Sequence, residues 1–142
     1  MTPRGRTSRR FKTARCILYR DGTYLLAVHS SFWYRREKRW GLPGGQIEWG
    51  ESPLSAARRE LREELHVAVS DLIEVGAYPY KHALHMVYAA PLDEDIVRYD
   101  DSELLDIGWF SESDIAAMKA DKALHADYEL EAVRQLVAKL DP

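Results

Sequence analysis

The sequence lacks the features that mark several large classes of protein. Its 142 residues include a single cysteine, Cys16, so no disulfide can form within the chain and a reducing, cytoplasmic location is expected. No apolar run approaches the roughly 18 residues of a membrane-spanning helix. The start of the chain has no apolar stretch typical of a secretory signal. We therefore expect neither a secreted disulfide scaffold nor a membrane partner, and Cys16 itself is expected to be a small buried apolar residue on a strand.

Acidic residues are scarce in the first 39 positions, which hold 11 Lys/Arg and two acids. The remaining positions reverse the balance, with 9 Lys/Arg and 21 acids. This distribution favours an anionic ligand held beside cations that the acids recruit. The low content of Lys/Arg after residue 39 argues against a broad nucleic-acid surface on the body of the protein. We expect residues 1–12 to form a basic, flexible arm and residues 13–142 to form one domain.

The order of the predicted elements indicates one α/β domain. Strand-like runs cover residues 13–20, 24–30, 67–78, 84–90 and 105–110, with room for a short strand at 46–48. Asp21-Gly22 predicts a hairpin turn between the first two strands. Helices are expected from Pro53 to about Leu65, after Ser111, and from about 125 to 140. The last helix should bury a face comprising Leu130, Val133, Leu136, Val137 and Leu140. The predicted fold is a single-domain α/β/α sandwich around a mixed sheet.

Three carboxylates share one face of the helix that begins near Pro53. Glu60, Glu63 and Glu64 follow the i, i+3, i+4 spacing, and like charges at this spacing destabilise a helix by a few tenths of a kcal/mol unless something offsets them. A glycine-rich loop that carries Glu48 and Glu51 precedes the helix. Oxygen ligands of this kind favour Mg²⁺, with Mn²⁺ as the alternative. For the helix taken alone, a solvated acidic face explains the pattern equally well.

The loop and helix together resemble the Nudix box. Gly45, Glu51, the run from Arg59 to Leu61, Glu63, Glu64 and Val67 match eight of the nine fixed positions of the pattern G-x5-E-x7-R-E-U-x-E-E-x-G-U, where U is aliphatic. The departure is His66, which stands where the family has glycine. Glycine there would end the helix in a left-handed conformation, which histidine can also adopt at a small cost in stability.

The resemblance to the Nudix family implies roles for the matched residues. It makes Glu60, Glu63 and Glu64 the metal-binding set, joined by the Gly44 carbonyl. By the same resemblance Arg59 orients a glutamate. Supporting positions are Glu48, Glu51 and Gly45, with Glu48 a candidate for the shell of a further metal ion. The general base varies within the family, and the candidates here are Glu63, Glu60 and Glu103.

The sequence says less about the substrate. Aromatic and basic residues could stack on a base and hold phosphates, and the candidates are Trp33, Tyr34, Arg36, Arg39 and Lys81. Their other interpretation is a partly buried aromatic loop with solvated cations. The resemblance implies hydrolysis of a phosphoanhydride, and the leading expectation is a nucleoside triphosphate, including damaged ones, giving a monophosphate and pyrophosphate.

Three other functions stay open on the sequence alone. They are cleavage of a nucleoside diphosphate linked to a sugar or nucleotide, removal of pyrophosphate from RNA 5′ ends, and a nucleotide sensor without catalysis. A homodimer is also compatible with the C-terminal helix and the aromatic residues.

Overall fold

The computed structural model describes residues 11–30 and 38–142, and their strands form one mixed sheet. The strands are β1 (Phe11–Arg20), β2 (Thr23–His29), β3 (Gly44–Gln46), β4 (Ile73–Tyr80), β5 (Ala83–Pro91) and β6 (Leu104–Ser111). Their order is β4-β5-β1-β2-β6, with β3 paired to β1. β1 and β5 are parallel, and the other pairs are antiparallel.

In the described part of the chain, three helices cover the two faces of this sheet, namely α1 (Pro53–Leu65), α2 (Glu112–Ala120) and α3 (Glu129–Leu140). Alternation along β1 separates the layers, since successive strand side chains point to opposite faces. Cys16 and Leu18 pack in one cluster with Leu61 of α1. Ile17, between them, packs in the other cluster with Leu136 of α3. The predicted α/β/α sandwich is confirmed, and Cys16 is 1% exposed on a strand, as expected.

Local signals placed the turns and helix starts well. Asp21 and Gly22 have φ of 49° and 72°, the left-handed conformation of a tight hairpin between β1 and β2. Ser52 caps α1 and accepts a hydrogen bond from the Ser55 N–H at 3.1 Å. Ser111 caps α2 in a capping box with Asp114. The hairpin and the two helix starts were predicted from signals that are local in the sequence, and all three are confirmed.

The structure differs from the prediction where tertiary contacts decide the ends. β1 begins at Phe11, two residues earlier than predicted, and β3 occupies Gly44–Gln46 instead of 46–48. β4 begins at Ile73 instead of residue 67. Val67 follows the left-handed turn at His66 and is buried below α1, where its N–H donates to the Leu61 carbonyl. Its burial comes from helix packing, which the apolar run alone cannot distinguish from a strand.

The last helix also begins later, at Glu129. Residues 123–125 are instead held against Trp40, whose N–H donates to the Ala123 carbonyl and whose carbonyl accepts from the His125 N–H, both at 2.8 Å. The predicted buried face was partly wrong, because Val137 is 36% and Leu140 49% exposed. Ala132 is buried in the face instead, so the contact with the sheet involves the first two turns of α3.

Candidate active site

Helix α1 presents the glutamates because both of its ends are fixed. Pro53 occupies the first turn after the Ser52 cap, where its missing N–H costs nothing. At the other end His66 takes the left-handed conformation, with φ 57° and ψ 35°, and its N–H donates to the Arg62 carbonyl. Leu61 and Leu65 are each 1% exposed on the sheet side. The helix is therefore fixed in rotation, with Glu60, Glu63 and Glu64 at the edge of a cleft.

Arg59 connects the preceding loop to the glutamate face. Its guanidinium forms a two-pronged pair with Glu51, from Nε at 2.6 Å and from Nη2 at 3.0 Å. Nη1 donates to Glu63 at 3.1 Å and lies 3.4 Å from Glu60, and Nη2 also donates to the Gln46 carbonyl. The Arg59 hydrogen bonds lower the pKa of Glu51. One cation thus offsets the repulsion between carboxylates that the sequence pattern implied.

Glu64 is buried beneath this layer, with its side chain 4% exposed. Its Oε1 accepts the Gly44 N–H at 3.1 Å, and its Oε2 contacts His29 Nε2 at 3.1 Å. Burial lowers the pKa of His29 to about 3, so the ring is neutral at pH 7 and shares a hydrogen bond with the Glu64 carboxyl. Burial raises the pKa of Glu64 to about 7, although the Gly44 N–H and Arg15 oppose that rise. The group is a desolvated carboxylate with a firmly held orientation.

Glu60 packs directly on the glycine-rich loop. A Cβ on Gly45 would overlap Glu60 Oε2, so a larger residue there would displace this carboxylate from its present position. Burial raises the pKa of Glu60 to about 7, and the neighbouring Glu64 adds to the rise. The fixed glycine of the motif therefore has a direct steric reason in this chain.

Arg15 is a site residue that the sequence analysis missed. It lies on β1, is 9% exposed, and donates from Nη1 to the Gly44 carbonyl at 2.9 Å and to the Leu42 carbonyl at 3.2 Å. Gly44 has φ 140°, and a Cβ there would collide with the backbone of Ala14 and Arg15. The available signal was an arginine inside the otherwise apolar run 14–19, since a buried charge requires specific partners.

The glutamates open into a cleft of about 890 Å³. Glu103 and Asp100 line it from the loop before β6, and this loop is tied to α1 because the Asp100 N–H donates to the Glu64 carbonyl at 2.8 Å. The opposite side carries basic and aromatic residues. The cleft-lining residues that are charged, histidine or tyrosine are Lys12, Arg15, His29, Glu48, Arg59, Glu60, Glu63, Glu64, Tyr80, Lys81, His82, His85, Asp100, Glu103 and His125.

The residues of this cleft fit a hard divalent cation in chemistry, although they do not form a complete ligand cage. Among the described residues, no three Asp, Glu, His or Cys side chains are already gathered around one point. The donors are carboxylates, and the pKa of Glu60 and that of Glu64 are both raised by burial, so a nearby positive charge would stabilise their ionised forms. The Gly44 carbonyl already accepts from Arg15, and its second lone pair leaves it one more acceptor site.

The other predicted positions divide into three groups. Glu48, Gly44, Gly45, Glu103 and Lys81 line the cleft with the glutamates, and Glu51 acts on it through Arg59. Arg39 is not among the described residues that line the cleft. The predictions for Trp33, Tyr34 and Arg36 lie outside the described residues. His29 and His125 were not predicted, because only the sheet register and the 123–128 segment bring them to the cleft.

Comparison with known proteins agrees with the family that the motif indicates. The NUDIX domain family model matches residues 9–131. A nucleoside triphosphate pyrophosphatase/Nudix hydrolase fusion protein from Bifidobacterium longum is 28% identical over 117 residues, covering 79% of this chain and 24% of that protein. Diphosphoinositol polyphosphate phosphohydrolase 2 from Rattus norvegicus is 31% identical over 124 residues, covering 82% and 68%. The crystal structure of a MutT NUDIX hydrolase from Burkholderia pseudomallei superimposes with a TM-score of 0.63 at 27% identity, covering 72% and 83%.

The chain belongs to the NUDIX domain family, whose hydrolase members it resembles in sequence and in structure. It spans 24%, 38% and 26% of the length of the first three curated relatives it matches. The described residues contain no helix that is both long and apolar enough to cross a membrane.

Proposed function

We propose that this protein is a Mg²⁺-dependent pyrophosphohydrolase that converts a nucleoside triphosphate, including damaged ones, to a monophosphate and pyrophosphate. One observation carries the proposal. Glu60, Glu63 and Glu64 open from one helix into the same cleft as Glu103, while Arg15 and Lys81 line that cleft as well. A polyphosphate needs both kinds of surface, since its charge must be neutralised and its position fixed.

The metal would be held by Glu60, Glu63 and Glu64, with the Gly44 carbonyl, and Mn²⁺ is the alternative ion. When bound, such an ion neutralises phosphate charge and favours ionisation of a water nucleophile. Arg59 is the positioning residue, because it holds Glu63 and Glu51 in fixed orientations. Glu48 lies 3.8 Å from the same guanidinium and supports the rim.

For the general base we favour Glu103 over the helix glutamates. Glu60 lies 3.4 Å from Arg59 and is one of the proposed metal ligands, and Glu63 already accepts a hydrogen bond from Arg59. Glu103 lines the cleft from a separate loop that the Asp100–Glu64 hydrogen bond holds in place. A base on that loop can accept a proton without giving up a metal ligand.

The test is a screen for released phosphate and pyrophosphate with Mg²⁺. Its substrates are ordinary and oxidised nucleoside triphosphates, nucleotide sugars, ADP-ribose, dinucleotides and 5′-triphosphorylated RNA. Glu63→Gln and Glu64→Gln should each abolish nearly all turnover of the best substrate, whereas Glu131→Gln, on the outer side of α3, should leave it unchanged. Glu103→Gln should lower kcat more than it raises KM.

If another compound of the screen is hydrolysed fastest, that compound replaces the nucleoside triphosphate as the proposed substrate. Nucleotide binding without turnover anywhere in the screen, and unaffected by either helix substitution, would reject catalysis and leave a nucleotide sensor.

A further inference from the structure

The turn between β4 and β5 has an unusual backbone for its sequence. Tyr80 pairs with Ala83, so Lys81 and His82 alone form the turn. Lys81 has φ 55°, a left-handed conformation that costs a side-chain-bearing residue about 1 kcal/mol. Its Nζ lies 5.3 Å from the Tyr80 ring centroid. Lys81 and His82 both line the cleft, so a strained turn holds a cation at its edge.

A second irregularity brings Lys12 to the same cleft. Phe11 pairs with Leu84 and Thr13 with His85, which leaves Lys12 without a partner residue on β5. The extra residue is a β-bulge, a feature that redirects a side chain. The Lys12 carbonyl is held from the other edge by the Ile47 N–H at 2.9 Å. Lys12 is exposed and lines the cleft together with the Lys81 turn.

These two lysines differ from the cleft's arginines in being available. Arg59 is paired with Glu51 and Glu63, and Arg15 donates to two carbonyls. Within residues 11–30 and 38–142, neither Lys12 nor Lys81 forms an ion pair with a carboxylate. Their charges can therefore be directed to a ligand without breaking an ion pair among those residues.

The sheet register separates the lysine turn from the glutamates. Ala14 of β1 pairs with Gly45 of β3 on one edge and with Met86 of β5 on the other. Two strand spacings, about 10 Å, therefore lie between Gly45 and β5. The β4–β5 turn is further along, beyond the Phe11–Leu84 pair. The lysine turn and a phosphate held at Glu60 beside Gly45 therefore lie in different parts of the same cleft.

We propose that Lys12, Lys81 and His82 form a second anion subsite, which binds a phosphate group that is separate from the phosphoanhydride being hydrolysed. The preferred substrate is then a phosphoanhydride compound that carries a further phosphate at a distant position. This inference rests on the proposed function for the reaction at the glutamates, but the binding of the second phosphate does not depend on turnover. A 3′-phosphorylated nucleotide, a 5′-triphosphorylated oligonucleotide and a multiply phosphorylated polyol all share this chemistry.

The first experiment measures binding in the presence of Mg²⁺. Calorimetry compares adenosine 3′,5′-bisphosphate with adenosine 5′-monophosphate, which differ only in the second phosphate. We expect the bisphosphate to bind about tenfold tighter, the value of one charge-assisted contact. Lys12→Gln and Lys81→Gln should each reduce that ratio severalfold, and Lys139→Gln, on α3, should keep it. Circular dichroism checks that each variant is folded.

The second experiment compares kcat/KM for ATP and 3′-phosphorylated ATP, with a 5′-triphosphorylated dinucleotide and a diphosphorylated inositol polyphosphate as further arms. The arm with the highest kcat/KM identifies the source of the second phosphate. Equal binding of the two adenosine compounds, or a preference that survives both lysine substitutions, would overturn the subsite. Loss of turnover in every arm with the binding preference intact would reject the proposed hydrolysis and leave the subsite standing.

Discussion

At the scale of single residues, the arrangement of the site depends most on Arg59. Its Nε and Nη2 engage both oxygens of Glu51, while Nη1 donates to Glu63. Only a planar guanidinium can make these contacts together, because a lysine ammonium has one nitrogen at the end of a flexible stem. The arginine of the motif is therefore required for its geometry as well as for its charge.

Arg59→Lys should retain the charge and lose most of the function. Because at least one charge-assisted hydrogen bond is lost, kcat/KM should fall about ten- to a hundredfold and the free energy of unfolding by about 1–2 kcal/mol. Steady-state kinetics and urea denaturation measure the two effects. Arg58→Lys is the matched control, since Arg58 donates to the Ser70 carbonyl on the other side of the helix. Wild-type kinetics in Arg59→Lys would show that charge alone suffices.

The sequence was enough to predict which residues of α1 share one face, but it did not predict which residues of β1 and β2 line the cleft. The 3.6-residue period of α1 was enough to put Glu60, Glu63 and Glu64 on one face. Arg15 and His29 reach the same cleft from β1 and β2. Which side of a strand faces the cleft depends on its pairing register and on the position of α1, so the residues of one strand do not identify that side by themselves.

At the scale of elements, the end of α1 shows how a motif position can change without loss of the structure. His66 adopts φ 57° where the family has glycine, and its N–H still donates to the Arg62 carbonyl. The cost is that of a side chain in the left-handed region, which glycine avoids. Glu64 lies two residues before His66, so the helix end also sets the position of a site carboxylate.

His66→Gly should therefore stabilise the protein. We expect a gain of about 0.5 kcal/mol in the free energy of unfolding, since relief of the left-handed strain exceeds the added entropy of the unfolded chain. Urea denaturation provides the measurement. Arg62→Gly, in the same helix but with ordinary helical backbone, should instead cost about 1 kcal/mol. A loss of stability in His66→Gly would mean that the imidazole contributes more than the strain it causes.

The element boundaries that sequence could not supply were set by partners distant in the chain. The 67–72 segment resembles a strand because it begins with three apolar residues, yet Val67 is buried in the cluster that contains Cys16 and Leu104. The start of α3 is delayed because Trp40 holds the backbone of Ala123 and His125 in a bridge. Caps and tight turns were predictable because their hydrogen bonds are local. These two ends were not, because their contacts span tens of residues.

At the scale of the whole molecule, the proposed metal site would couple metal binding to folding through Glu60 and Glu64. Without metal, the raised pKa of each carboxyl, about 7 against an ordinary 4.5, means that the folded state binds protons more tightly than the unfolded state. Their contribution to stability is therefore full below about pH 4.5 and is lost as the pH rises through about 7. A cation that replaces those protons should restore stability in the range where they leave.

Saturating Mg²⁺ should thus raise the free energy of unfolding, by about 2.7 kcal/mol when its concentration is a hundred times the Kd. The gain should be larger at a pH of about 8 than at about 6, because at the lower pH Mg²⁺ must displace protons from both carboxyls. Urea denaturation in Mg²⁺ and in EDTA at the two pH values measures it. Glu60→Gln and Glu64→Gln should remove most of the response, and Glu131→Gln, whose side chain is 68% exposed on α3, should keep it. An equal Mg²⁺ effect in all four proteins would place the ion elsewhere, and the glutamate face would then have to be explained by Arg59 alone.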